Sequence, residues 1–331
     1  MLLTILIIAV ALVFDFINGF HDAANSVATI VATRVLKPFY AVLWASLFNF
    51  LALFVFGTGV AKTVGSGMVD LAQVTPIVIL AGLIGAIVWN LLTWWWRLPS
   101  SSSHALLGGY AGAAIAHHAA SAGLGRGLEV IIASGWTQTL LFMLLAPLIG
   151  MALSAALLFA AERLEKLAAR KPGDKFYGRL QLASSAFLSL THGSNDAQKT
   201  AGIITGALVA SGSLAAFEPP YWVLLLSYLV MGLGTLAGGW RIIYTLGFRL
   251  TQLRPQGGFC AETGAALSIL IATLLHLPIS TTHAATGSII GVGLRQKIQW
   301  SMARRIALAW LLTLPAAALM GAAMALVLQG L

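Results

Sequence analysis

The chain is short of charge, of acidic charge above all, and of cysteine. Asp, Glu, Lys and Arg make up 9% of its 331 residues, and only ten residues are acidic. Soluble domains carry about a quarter charged residues, so a surface of ordinary water-facing character is excluded. A single cysteine, Cys260, excludes an intrachain disulfide. The opening stretch MLLTILIIAV lacks a basic n-region and a small-residue cleavage pattern, and reads as a retained first helix rather than a removed leader. There is no Gly-x4-Gly-Lys-Ser/Thr stretch, which argues against ATP-driven pumping.

In place of charge the chain has apolar surface. It is 59% hydrophobic, with a mean hydropathy of +0.90, more than a soluble core of this length needs. Apolar runs recur at 2–17, 41–60, 74–96, 128–161, 221–240, 258–276 and 304–328, and several reach the ~20 residues that span a hydrocarbon core. The runs are continuous rather than alternating, which excludes a membrane barrel and predicts an all-α polytopic membrane protein. Trp94, Trp95, Trp96, Trp240 and Trp300 read as interfacial belt residues.

The net charge of +9 is explained by basic loops on one membrane face, and nucleic acid is not expected as a partner. Arg34, Lys37, the stretch from Arg163 to Arg179, Arg241, Arg249, Arg254, Arg295, Lys297, Arg304 and Arg305 all fit on one side, leaving Lys62 and Arg126 opposite. The positive-inside rule makes the crowded side cytoplasmic. A multi-pass protein of the inner (plasma) membrane is then expected, with both termini extracytoplasmic and an odd number of crossings between Val10 and Arg34.

One frame occurs twice. Asn18-Gly19-Phe20-His21-Asp22-Ala23-Ala24-Asn25-Ser26 is answered by His192-Gly193-Ser194-Asn195-Asp196-Ala197-Gln198-Lys199-Thr200. Each copy is followed by a second element, Leu98-Pro99-Ser100-Ser101-Ser102-Ser103-His104-Ala105 and Leu277-Pro278-Ile279-Ser280-Thr281-Thr282-His283-Ala284, with His104 lying 82 residues after Asp22 and His283 lying 87 after Asp196. Two motifs in one order at near-equal spacing mark an internal repeat. The charge map runs the first copy from outside to inside and residues 180–211 from the basic side to the uncharged Ser211–Pro220 side, so the copies are inverted. The expected division is a first repeat at 1–160, a basic cytoplasmic linker at 161–179 and a second repeat at 180–331, with discontinuous helices and helical hairpins, the mark of alternating-access carriers.

Carboxylates at membrane depth need a cation, a proton or a water-filled cavity, which singles out Asp22 and Asp196. Asn25 shares a helix face with Asp22, and Lys199 shares one with Asp196. The competing structural reading makes the two aspartates caps of broken helices, because Asp-Ala preceded by Gly also suits a helix start. The Pro-Ser-Ser-Ser-Ser-His and Pro-Ile-Ser-Thr-Thr-His runs place hydroxyls at helix N-termini, where free N–H groups and the positive dipole end favour a tetrahedral oxyanion. Ordinary N-capping is the alternative there. Acidic groups beside an anion site require cations between them, such as sodium held by Asp22, Asn25 and Asp196, or a proton. Lys199 stands where symmetry with Asn25 expects Asn; it is read either as a fixed ammonium in one cation position, as a point charge on the anion, or as a plain ion pair with Asp196. Asn90 is a further candidate cation ligand. Glu262 is assigned either to the second hairpin or to the cytoplasmic face. His21, His104, His192 and His283 flank the motifs, and Asp15 and Arg97 have no assigned role.

The motifs Gly19-Phe20-His21-Asp22-Ala23-Ala24-Asn25 and Gly193-Ser194-Asn195-Asp196-Ala197, with the paired hydroxyl runs, resemble the inorganic phosphate transporter (PiT) family over nearly the whole chain. The resemblance implies two inverted domains in which Asp22, Asn25, Asn195 and Asp196 take part in cation sites, while Ser101, Ser102, Ser103, Ser280, Thr281 and Thr282 contact phosphate. His21 departs from the signature Asn, and Gln198-Lys199 departs from a small residue followed by Asn. That second signature is similar to bacterial low-affinity members, which use protons and accept neutral metal–phosphate complexes. The implied function is secondary active, cation-coupled transport of inorganic phosphate, with a sulfate permease of the same family as the alternative. No cofactor is expected beyond a transported or coupling cation, Na+ or H+. The expected partners are inorganic phosphate, that cation and the lipid bilayer, with a homo-oligomer left open. An enzyme is not expected: Pro-Ser-x-x-x-His loosely matches a lipid phosphatase element, but its other elements are missing.

Overall fold

The computed structural model describes residues 1–168 and 172–330. Twelve α-helices appear among them, six before the break and six after: α1 (Leu2–Ala32), α2 (Pro38–Leu51), α3 (Gly59–Ser66), α4 (Pro76–Trp95), α5 (Ser102–Ala122), α6 (Ala133–Leu167), α7 (Asp174–Ala210), α8 (Tyr221–Ala237), α9 (Trp240–Tyr244), α10 (Pro255–Leu274), α11 (Thr281–Gly293) and α12 (Trp300–Gln329). No named strand occurs among the described residues. Five helices are long and apolar enough to cross a membrane, or up to seven if each bent pair is one span. The bent pairs match between halves: α2 with its 3-10 turn breaks by 86° into α3, and α8 breaks by 60° into α9 and a π-helical turn at Thr245–Arg249.

Local sequence sets the helix starts. Pro38, Pro76 and Pro255 open α2, α4 and α10, where a missing N–H costs nothing. Ser101 and Ser280 cap α5 and α11 by accepting from the third helical N–H, His104 N at 3.1 Å and His283 N at 3.2 Å. Between α4 and α5, and between α10 and α11, the chain reverses through a left-handed residue, Arg97 (φ 60) and His276 (φ 61). These are the two hairpins the sequence predicts.

The protein is apolar outside and polar inside. Leu144, Leu311 and Leu319 on α6 and α12 are exposed, whereas Asp15, Asp22, Asn90, Asp196, Lys199 and Glu262 are buried. That inversion suits hydrocarbon as the solvent. α7 is 37 residues long yet too polar to stand out as a span, because its surroundings are other helices rather than lipid.

Inversion is visible in the contacts between α1 and α7. Asp15 meets Thr200, the Asp22 carboxylate lies beside His192 and Asp196, and Thr33 meets Gln181. Residue numbers rise along α1 as they fall along α7, so the two helices are antiparallel. The halves are also interleaved: α6 packs on α10 and α11, and α12 packs on α4 and α5. The linker expected at 161–179 is mostly helix, since α6 runs to Leu167 and α7 begins at Asp174; residues 169–171 of it, and Leu331, lie outside the described residues.

The signature glycines do not open helices. Gly19 and Gly193 sit inside α1 and α7, so the reading of Asp22 and Asp196 as caps of broken helices is overturned. Their purpose is close approach. A Cβ on Gly19 would strike the Met231 carbonyl of α8 and lie 3.1 Å from Thr235 N, and one on Gly193 would lie 2.5 Å from the Asn49 carbonyl of α2. Backbone cannot yield as a flexible side chain does, so Gly19→Val is expected to destabilise the α1–α8 crossing by roughly 2 kcal/mol or more. Unfolding of the detergent-solubilised protein measures it, and a variant as stable as the unaltered chain would contradict this account.

Candidate functional site

The two signatures and the two hydroxyl runs meet at one place. One side-chain ligand atom from each of Asp22, His192 and Asp196, a carboxylate oxygen or a ring nitrogen, lies within 4.8 Å of the other two. All three residues are buried, Asp22 at 2% exposure and the others at 0%. Asp22 Oδ1 accepts from Ser102 Oγ at 3.1 Å and pairs with His21 Nδ1 at 2.8 Å, and its Oδ2 accepts from Thr282 Oγ1 at 3.4 Å. Asp196 Oδ2 accepts from Thr281 Oγ1 at 3.0 Å and lies 3.2 Å from His192 Nε2.

The pairing follows the repeat. Ser102 and Thr281 are the first residues of α5 and α11, and each donates to the aspartate of its own half. The next residues cross over: Asn25 Nδ2 donates to Thr282 Oγ1 at 3.0 Å, and Lys199 Nζ donates to Ser103 Oγ at 2.5 Å. Lys199 thus takes the place that symmetry assigns to Asn25. Its ammonium also donates to Asp196 Oδ1 at 2.5 Å and to the Ile279 carbonyl at 2.7 Å, so all three protons have partners. A fixed positive charge is built into one half of the site and absent from the other.

Other candidates are placed differently. Ser101 and Ser280 use their oxygens as caps. Asn195 braces the second hairpin, donating to Thr273 Oγ1 at 3.0 Å and to the Leu277 carbonyl at 3.1 Å while accepting from Ile279 N at 3.3 Å. Asn90 is fully buried in α4 with neither side-chain polar atom hydrogen-bonded among the described residues. His104 and His283 pack edge to face at 4.5 Å, and His283 stacks on Trp310.

Three features go beyond the sequence reading, which left Glu262 between the second hairpin and the cytoplasmic face and took His192 only as flanking the motif. Glu262 is fully buried in α10 and accepts from Thr29 Oγ1 at 2.5 Å, Gln181 Nε2 at 2.9 Å and Ser184 Oγ at 2.6 Å. The signal was present as a polar stripe on one face of α1, Asp15, Asn18, Asp22, Asn25 and Thr29, at alternating steps of three and four. His192 joins the two aspartates because it precedes Asp196 by one turn. The third feature had no sequence signal: the short helices after the two kinks hold the hairpin turns. Thr63 Oγ1 donates to the His276 carbonyl at 2.7 Å, and Thr245 Oγ1 donates to the Arg97 carbonyl at 3.2 Å. Each hairpin turn is therefore held by the opposite half.

A sealed polar site between two inverted hairpins, inside an all-helical protein with a lipid-facing exterior, is the architecture of a membrane carrier. Residues 18–173 and 163–321 both match the phosphate transporter family, and the chain belongs to that family. It is 48% identical over 320 residues to the probable low-affinity inorganic phosphate transporter of Rhizobium meliloti (strain 1021), covering 96% of this chain and 93% of that one. It is 42% identical over 328 residues to the protein of the same description from Bacillus subtilis (strain 168), with 97% and 96% covered. The fold also matches a solved structure described as the sodium-dependent phosphate transporter, with a TM-score of 0.87, 24% identity and full coverage of both chains. These relatives are transporters, not enzymes.

Proposed function

We propose that this chain carries inorganic phosphate across the inner membrane by cation-coupled alternating access, with 1–160 and 180–331 as the two inverted halves and both termini extracytoplasmic. The observation that carries the proposal is the meeting of Ser102, Ser103, Thr281 and Thr282 with Asp22, Asp196 and Lys199. Helix starts with hydroxyls supply donors for a tetrahedral oxyanion, and the same hydroxyls accept from a protonated one. Ser101 and Ser280 shape the two starts as caps, and their backbone groups belong to the same anion cradle. The carboxylates repel an anion unless positive charge accompanies it, so a cation or proton at Asp22, Asn25 and Asp196, with Asn195 and Asn90 as supporting groups, makes phosphate binding depend on the coupling ion. Lys199 supplies part of that charge permanently, as the ammonium nearest the anion. The relatives' description as inorganic phosphate transporters supports phosphate over sulfate.

Labelled phosphate uptake into proteoliposomes, under sodium and proton gradients imposed separately, tests this. Saturable uptake is expected, stimulated by one of the two gradients. A tenfold excess of sulfate is expected to lower it by less than about half, because sulfate offers no proton at neutral pH to the acceptors of the site. Displacement by sulfate as effective as by unlabelled phosphate would favour the permease alternative instead.

A further inference from the structure

Asp15 lies seven residues before Asp22 on the same face of α1, about 10 Å along the helix and on the side away from Arg34. It is completely buried. Its Oδ1 accepts from Thr200 Oγ1 of α7 at 2.8 Å, while its Oδ2 has no hydrogen-bond partner. Asn18, one turn on, likewise leaves its Oδ1 unpartnered. The titratable groups facing Asp15 are Asp196 on α7 and Tyr228 on α8. Neither brings positive charge, and among the described residues no Lys, Arg or His pairs with it. Asp22 has His21 and Asp196 has Lys199; Asp15 has no such neighbour.

We propose that Asp15 is a proton-carrying site on the coupling path, a carboxyl that takes up one proton on Oδ2 from the side opposite the basic loops and releases it in each cycle. The argument is from ligand number. An ionised carboxylate without a counter-charge is costly at membrane depth. A metal cation needs several oxygen ligands around it, whereas the side-chain oxygens facing this position are one carboxylate, one amide, the Tyr228 phenol and a hydroxyl already donating to that carboxylate, so one charged ligand stands among neutral ones. A proton needs one lone pair, and Oδ2 has one free. The polar stripe then continues through Asn18 to the Asp22–Asp196 pair, so the charge state of Asp15 is felt where the anion binds. This inference rests on the carrier function proposed above.

Two measurements on the full chain in proteoliposomes test it: exchange of labelled for unlabelled phosphate at equal pH, and accumulation driven by an inward proton gradient. Asp15→Asn imitates the protonated state permanently. It is expected to retain at least about a third of the exchange rate and to lose gradient-driven accumulation by about tenfold or more. Asp15→Glu, which keeps a titratable group, is expected to recover part of the accumulation. Gradient-driven accumulation unchanged in Asp15→Asn overturns the proposal, as does loss of exchange together with accumulation in a correctly folded variant. Accumulation that follows a sodium gradient at equal pH and disappears in Asp15→Asn overturns the proton assignment. If Asp15→Asn does not fold, Thr200→Val decides: the pH of half-maximal uptake shifts by about half a unit or more when the hydroxyl partner is removed, and an unshifted profile overturns the proposal. Absence of phosphate exchange in the unaltered chain would instead refute the carrier function itself.

Discussion

Asp22→Asn is expected to lower coupled phosphate uptake by about a hundredfold or more, equivalent to about 2.7 kcal/mol, with the chain still folded and inserted. The amide keeps the shape of the carboxylate and one acceptor oxygen, so Ser102 or Thr282 retains a partner. Only the charge proposed above to hold a coupling cation is lost. Uptake of labelled phosphate, normalised to the amount of inserted protein, provides the measurement. A wild-type rate with unchanged ion dependence would remove Asp22 from the coupling step. Asp196→Asn tests the other half of the site, and Lys199 makes the two cases unequal. In the variant the ammonium keeps Ser103 and the Ile279 carbonyl but loses its carboxylate partner.

The second large effect concerns stability. Lys199→Met removes the ammonium that donates to Asp196, and leaves a carboxylate buried in the middle of α7 with a histidine and a hydroxyl as its neighbours. Breaking a buried pair from one side typically costs about 3–5 kcal/mol. The double change Lys199→Met with Asp196→Asn removes both charges, and is expected to return to within about 1 kcal/mol of the unaltered chain. Chemical or thermal unfolding of the solubilised protein separates the two. A double variant as unstable as the single one would mean that Lys199 stabilises through packing or through Ser103 and Ile279 rather than through its charge. Uptake is expected to stay lost in both variants, since the fixed charge beside the hydroxyls is gone in each.

The hairpins were legible because proline and hydroxyl residues leave a local record: Ser101 and Ser280 cap as their spacing to His104 and His283 requires. The pairing of Ser102 with Asp22 was not legible in the same way. The two residues are 80 positions apart, and their contact depends on how α4 and α5 pack against α1. Asn195 shows the opposite case. It stands in the signature next to Asp196, yet on a helix adjacent residues point about 100° apart, and its amide is spent on holding the second hairpin turn. Glu262 was ambiguous because a lone acidic residue near a basic loop reads equally as surface; three donors from α1 and α7 settle its place in the interior.

By itself the sequence determined that this is a membrane-spanning all-α protein built from an inverted repeat. Those properties follow from local quantities: apolar run length, loop charge, and the recurrence of two motifs in one order. Tertiary structure alone decided which helices the glycines allow to touch, how the halves interleave, and which atoms around Asp22 and Asp196 complete the site. The physical reason is that a buried polar side chain needs a partner but does not specify which one. In this protein the partners arrive from helices far apart in the chain, brought together by backbone contacts such as Gly19 on α8 and Gly193 on α2.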